Sequence, residues 1–142
     1  VLQVLRVCQD NPQHRFLILT KLAEELYEYI YPRNVWLGVT VEGDYNEYRI
    51  SSLLETNASV KFISFEPLLR PTSPDLCLDG IDWVIIGGRR QVTWPNPLPK
   101  FVPPRSWVEA IIKEARRAGA AVFTKENLEW PTPIQEWPSK EV

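Results

Sequence analysis

Methionine is absent from the 142 residues, histidine occurs once and cysteine twice. Each scarcity removes a class of chemistry. His14 stands alone in the turn-like stretch NPQHRF, so no Ser/His/Asp or Cys/His set is spaced for nucleophilic catalysis, and a loop or surface role is expected of it. Cys8 and Cys77 are far apart and match no metal-ligand spacing. Both are expected as small buried or half-buried hydrophobes rather than as metal ligands or a disulfide. No apolar run approaches the ~20 residues of a membrane span and the start lacks signal-peptide zoning, which makes the cytoplasm the expected location and a membrane partner unexpected. A formal net charge of −2 gives no general attraction to polyanions, and no basic patch stands out, so nucleic acid is not an expected partner. The missing methionine is matched by an opening, VLQVLRVC, in which Val1, Val4, Leu5 and Cys8 fall at helical spacing with no N-cap before them. A fragment, a processed product or an unusual start is expected.

What is present reads as one ordinary globular domain, with 44% apolar and 24% charged residues. Short apolar runs alternate with stretches of helical periodicity. Strands are expected at 15–20 (RFLILT), 35–41 (VWLGVTV), 60–65 (VKFISF), 82–86 (DWVII) and 120–124 (AAVFT), and helices at 1–9, 21–31, 45–56 and 106–118. In the second helix Leu22, Leu26, Tyr29 and Ile30 share a face, and in the third Ile50, Leu53 and Leu54 do. The last is the best punctuated: Ser106 and Glu109 are spaced as a capping box, Val108, Ile111, Ile112 and Ala115 face inward, and Gly119 closes it. Continuous apolar strands linked by helices imply an α/β fold with a parallel sheet of about five βα units, which amounts to a partial, half TIM-type barrel. The barrel portion spans 1–127, and 128–142 is a proline- and tryptophan-rich tail whose Trp130 and Trp137 are available to dock on the body. Two connections, 67–80 and 89–105, are too rich in proline for long helices.

Aligned by their C-terminal ends, all five strands finish in polar or glycine residues: Thr20 and Lys21; Thr40 and Glu42; Ser64 and Glu66; Gly87 and Gly88 followed by Arg89 and Arg90; Thr124 with Lys125 and Glu126. In parallel α/β folds these ends lie on one side, where barrels carry their active sites. Two readings fit. Lys21, Glu42, Glu66, Gly87, Gly88, Arg89 and Lys125 form a mouth in which the glycines let the backbone turn and a ligand approach, while three cations and two carboxylates suit an anionic or zwitterionic small molecule. Alternatively Lys21, Glu42, Glu66 and Lys125 are a ring of ion pairs that closes the sheet with no ligand. GGRR is neither GxGxxG nor a phosphate loop with its lysine and hydroxyl residue. Trp36, Trp83 and Trp107 are expected in the core, and Trp94, in the long loop, is placed for a lid or stacking role.

The segments NVWLGVTVE, VKFISFEPLL, IDWVIIGG and AAVFTK, in that order and with LTK ahead of them, resemble the phage-related three-cysteine-motif proteins, a radical-SAM-like family. The resemblance covers residues 1 to about 127 and corresponds to the C-terminal part of that family's domain. It implies a TIM-type barrel in which an N-terminal CxxxCxxC loop holds an iron–sulfur cluster and S-adenosylmethionine lies across the mouth. This chain carries no CxxxCxxC and therefore no cofactor of its own; both groups would require upstream sequence. It also has Arg89 and Arg90 where the family tends to be acidic, and FTKENLEW where the family has an FKQWG-like segment. Three expectations follow: a truncated or degenerate relative with a remnant ligand mouth, the C-terminal half of a radical enzyme whose cluster loop lies upstream, or an oligomeric binding or assembly module. Because five units fall short of eight, the open edges should be covered by self-association or by an upstream half-barrel.

Overall fold

The computed structural model describes residues 1–140. Its elements run α1 (Leu2–Asp10), β1 (Phe16–Thr20), β2 (Val35–Thr40), α2 (Tyr48–Leu54), β3 (Val60–Phe65), β4 (Trp83–Ile86), α3 (Arg105–Ala118) and β5 (Ala121–Thr124), with short 3-10 turns at Leu26–Glu28, Asp44–Asn46 and Glu126–Leu128. The five strands form one sheet in the order β1-β2-β3-β4-β5, and every pairing is parallel. The expected α/β fold is therefore present, with strand bounds within a residue or two of those read from the sequence.

Consecutive order places every connection on the same face of a parallel sheet, because such crossovers share one hand. The burial pattern follows. Phe16, Ile18, Val35, Leu37, Val39, Ile63, Phe65, Val84, Ile86 and Val122 pack with Leu5 of α1, Ile50 and Leu53 of α2, and Val108, Ile111 and Ala115 of α3. The opposite face carries a second cluster made of strand residues alone: Trp36, Val60, Phe62 and Trp83, with Ile85, Ala121 and Phe123 against it. A sheet with helices on one face and large side chains on the other has the layering of a barrel wall seen from inside. Gly38 lets the wall pack, since a Cβ there would come within 2.4 Å of the Phe62 ring.

The tail closes one edge of this sheet. Thr124 N–H donates to Ile134 C=O (2.7 Å) and Glu136 N–H to Val122 C=O (2.9 Å), an antiparallel contact along the outer side of β5. Beyond it Trp137 packs on Trp83, Trp36 and Phe123, while Trp130 packs against the helix-side core.

Four local expectations require correction. Residues 21–31 form no α-helix, only the 3-10 turn at Leu26–Glu28. Leu22 and Ile30 point into water, so the apolar face that the periodicity implied is never buried, and short helices draw their stability from such burial. Instead the Tyr31 hydroxyl donates to Leu26 C=O (2.9 Å), and Asn57 Oδ1 accepts from Tyr31 N–H (3.0 Å). In α2 only Ile50 and Leu53 are buried, and Leu54 is exposed. The capping box is not formed: α3 begins at Arg105 after an extended Pro104, no side chain caps it, and Glu109 accepts from Arg105 Nε at 2.7 Å. Pro103 and Pro104 fix the extended entry and move the helix start one residue upstream of the Ser106 signal. Cys8 is buried as expected, whereas Cys77 is exposed on the loop before β4.

Candidate functional site

Parallel pairing brings the strand ends together, and the ladder continues past the strands. Val41 N–H donates to Ser64 C=O (3.0 Å), Gly87 N–H to Phe65 C=O (3.0 Å) and Lys125 N–H to Ile86 C=O (2.9 Å). Glu42, Glu66, Gly87 and Lys125 thus follow the last rungs of neighbouring strands.

The polar side chains form two groups. At the β3, β4 and β5 ends, Lys125 Nζ lies 2.9 Å from Glu66 Oε2, and the Asn127 amide donates both to Glu66 Oε1 (3.2 Å) and to Gly88 C=O (2.8 Å). Asn127 Oδ1 is buried with no hydrogen-bond partner among the described residues. At the β1 and β2 ends, Lys21 Nζ lies 2.7 Å from Glu42 Oε1, while Asn46 Nδ2 (3.3 Å) and the Tyr45 hydroxyl (3.4 Å) donate to Oε2. Arg49 stands 4.0 Å from the same carboxylate and donates from Nη1 to Thr40 C=O at 2.7 Å. In both pairs the carboxylate is the deeper partner, with Glu42 and Glu66 side chains 15% and 24% exposed. Burial pushes the Tyr45 phenol above its ordinary value, and the Glu42 charge adds to the effect. Burial likewise raises the Glu47 carboxyl, partly offset by the bond it accepts from Ser73 N–H.

Gly87 and Gly88 are both buried, and neither has a positive φ. Their role is close approach within the chain. A Cβ on Gly88 would meet Phe101 C=O at 2.5 Å and Asn127 C=O at 2.9 Å; one on Gly87 would meet Asn127 Oδ1 and the Glu66 stem at 3.0 Å. Arg89 sits apart from the carboxylates. It exchanges backbone hydrogen bonds with Phe101 (2.8 and 2.9 Å), and its Nε donates to Pro99 C=O at 3.0 Å, rooting an arm over 89–101 that is closed by a second rung between Val92 and Leu98. Trp94 stands 83% exposed on that arm.

Of the seven residues selected from the sequence, Glu66, Gly87, Gly88 and Lys125 form one cluster, Lys21 and Glu42 form a second, and Arg89 turns toward the arm. Asn127, Asn46 and Arg49 were missed. Asn127 lies two positions beyond Lys125, and an alignment of strand ends carried that far would have included it. Asn46 and Arg49 come from the turn and helix after β2, which no strand-end pattern addresses.

A half-buried carboxylate with a lysine on one oxygen and a carboxamide on the other can hold an ammonium group at the carboxylate and an anion at the lysine. His14, the only histidine, packs edge-on to Phe16 at the far end of β1. Among the described residues no three His, Cys, Asp or Glu side chains gather as a metal site. Cys8, its thiol pushed up by burial, lies in α1 and Cys77 in a loop, so these residues do not fit an iron–sulfur cluster. No helix among the described residues is long and apolar enough to cross a membrane.

Neither the curated proteins nor the solved structures contain a significant match to this chain. A family model does match, over residues 1–140, and it covers the whole sheet, both polar clusters and the tail. The chain therefore belongs to the DUF5131 family, described as proteins of unknown function.

Proposed function

We propose that this chain is a portion of a radical-SAM-like, phage-related barrel, set in the cytoplasm, whose strand-end mouth binds a small zwitterionic ligand without itself carrying the cluster. The observation that carries the reading is the Glu66, Lys125 and Asn127 cluster around Gly87, on the strand-end side of a parallel sheet with consecutive order. An ion pair between a deep carboxylate and a more exposed lysine is a site that a zwitterion can take over group by group. The ligand's ammonium replaces Lys125 at Glu66, its carboxylate or singly charged phosphate is met by the released Lys125, and the charge count is unchanged. Glu42 and Lys21 offer a second such exchange. S-adenosylmethionine, whose methionine portion is a zwitterion, is the first probe that the resemblance suggests.

Calorimetry and thermal shift with S-adenosylmethionine and with phosphate-bearing metabolites, on wild type, Glu66→Ala, Lys125→Ala and Arg89→Ala, test this. A hydrogen bond to a charged group contributes about 1.5–3 kcal/mol, so Glu66→Ala and Lys125→Ala should each weaken binding about 10- to 100-fold. Arg89→Ala should have less effect, since its guanidinium is held by Pro99. No binding by wild type, or binding that neither Glu66→Ala nor Lys125→Ala changes, would make both clusters structural ion pairs.

A further inference from the structure

The long connection between β4 and β5 differs from the rest of the chain in charge. No carboxylate occurs between Asp82 and Glu109, while Arg89, Arg90, Lys100 and Arg105 all fall there, although Asp and Glu make up 18 of the 142 residues. The net charge of −2 averages this stretch with an acidic remainder, so it does not describe the field at the 89–101 arm, which carries cations alone. Both roots of the arm are held by this chain, through the rung between Arg89 and Phe101 just after β4 and through the packing of Phe101 on Trp107 near the start of α3. Its make-up and its placement are thus independent of what adjoins β1.

Every residue from 90 to 100 is exposed, so the arm stands out from the body as a narrow hairpin. Val92 and Leu98 lie opposite each other on a hydrogen-bonded rung, which puts both side chains on one side of it. Trp94 at the tip is 83% exposed, and a side chain of that size forgoes a burial of about 150–250 Å² by standing in water. The cations beside it are available. Arg90 meets no carboxylate among the described residues, and of the Arg89 guanidinium only Nε is engaged, by Pro99 C=O. Lys100 pairs with Glu129, but both side chains are more than half exposed, and so exposed a pair is weak enough for a stronger anion to displace.

We propose that the arm binds single-stranded nucleic acid, with Trp94 stacked on a base and Arg90 and Lys100 meeting phosphates beside it. Two features select that partner. A run of cations without a carboxylate calls for a polyanion, and an exposed indole among them is a platform for the flat face of a base, which a single strand offers and a duplex keeps stacked inside. An acidic peptide would satisfy the cations and leave Trp94 in water. Binding at the arm is independent of small-ligand binding at the mouth, since the hydrogen bonds of Glu66, Lys125 and Asn127 involve none of Arg90, Trp94 and Lys100.

Fluorescence anisotropy with labelled oligothymidylate and oligouridylate of about 20 nucleotides, at roughly 50 mM salt, tests this. Wild type should bind and should lose tryptophan emission on binding, a quenching that Trp94→Ala diminishes. Trp94→Ala and Arg90→Glu should each weaken binding about tenfold or more, whereas Trp94→Phe, which keeps a ring, retains most of it. Lys113→Glu, which reverses an exposed cation on α3, should leave binding unchanged. Arg90→Ala should also reduce the slope of log affinity against log salt by about 0.7, the share of one phosphate contact on a single strand. Because the arm positions are exposed, these substitutions spare the core, and far-UV circular dichroism checks that they do. No binding of either oligonucleotide by wild type, or losses in Trp94→Ala and Arg90→Glu no greater than in Lys113→Glu, would overturn the proposal. A duplex of the same length bound as tightly would exclude stacking on a base, and an oligoglutamate that competes as well as the oligonucleotide would assign the arm to acidic protein segments; either result overturns it equally.

Discussion

The ring of Trp137 lies 4.6 Å from that of Trp83, centroid to centroid, at an interplanar angle of 30°. Trp83 Nε1 donates at 2.9 Å to the carbonyl of Glu136, the residue before it. Tail and sheet are thus joined at one point by stacking and by a half-buried hydrogen bond.

Trp83 and Trp36 are both buried on the helix-free face, and they should respond differently to the same change. Trp36 Nε1 has no hydrogen-bond partner among the described residues. Replacing Trp36 by Phe removes an unmet donor along with ring area, whereas Trp83→Phe leaves the Glu136 carbonyl unpaired. An unpaired group costs about 1–3 kcal/mol when fully buried, and this carbonyl is half-buried, so Trp83→Phe is expected to destabilise the protein by about 1 kcal/mol more than Trp36→Phe. Urea unfolding of the two variants measures the difference, and equal losses would contradict the tail contact.

Gly88→Ala should be costly. The atoms a Cβ would meet are the backbone carbonyls of Phe101 and Asn127, neither of which is the end of a flexible side chain. Overpacking of this kind costs about 1–3 kcal/mol, and the expected structural result is displacement of the 89–101 arm. Gly119 is a contrast: nothing lies within 4 Å of its Cβ position, but its φ of 76° is left-handed, so Gly119→Ala should cost about 1 kcal/mol from strain alone. Thermal denaturation with hydrogen exchange over the arm distinguishes the two.

Acid should loosen the tail. Hydrogen bonds from Arg116 to Glu136 (2.6 Å each) hold that carboxyl below its ordinary value, against burial, which raises it. Glu114 is lowered similarly, first by its bonds to Arg117. A carboxyl depressed in the fold contributes stability that is complete above its unfolded pKa, about 4.3, and is lost as pH falls through the lower folded value. The melting temperature should therefore decline below about pH 4.3, and Arg116→Gln should flatten that decline. Glu136 is 41% exposed, so solvent screening keeps the effect modest. An unchanged acid profile in Arg116→Gln would show that this pair does not govern it.

Most of the sheet was legible because buried parallel strands are continuous apolar runs, and VWLGVT or FISF has no competing reading once turns bound it. The convergence of Glu42, Glu66 and Lys125 at one side was legible for the same reason, since parallel direction alone aligns strand ends. Helicity at 21–31 was misjudged because periodicity reports a face that could be buried, and here nothing covers Leu22 or Ile30. The Ser106 capping box failed where two prolines set the entry into α3 more strongly than a hydroxyl at the right spacing.

Strand positions, their parallel direction and the chemistry available at each strand end were legible in the amino-acid sequence, because they depend on local patterns a few residues long; their order in the sheet came from the tertiary structure. Which cation meets which carboxylate was decided only in three dimensions. Lys125 reaches Glu66 past the end of β4, which lies between their strands, Asn127 reaches Gly88 from the neighbouring strand end, Arg89 is drawn to Pro99 by the arm it begins, and residues 134–136 of the tail pair with β5. Those choices depend on contacts between residues tens of positions apart, where the cost of leaving a buried charge or backbone group unpaired selects the partner, and no local pattern carries that information.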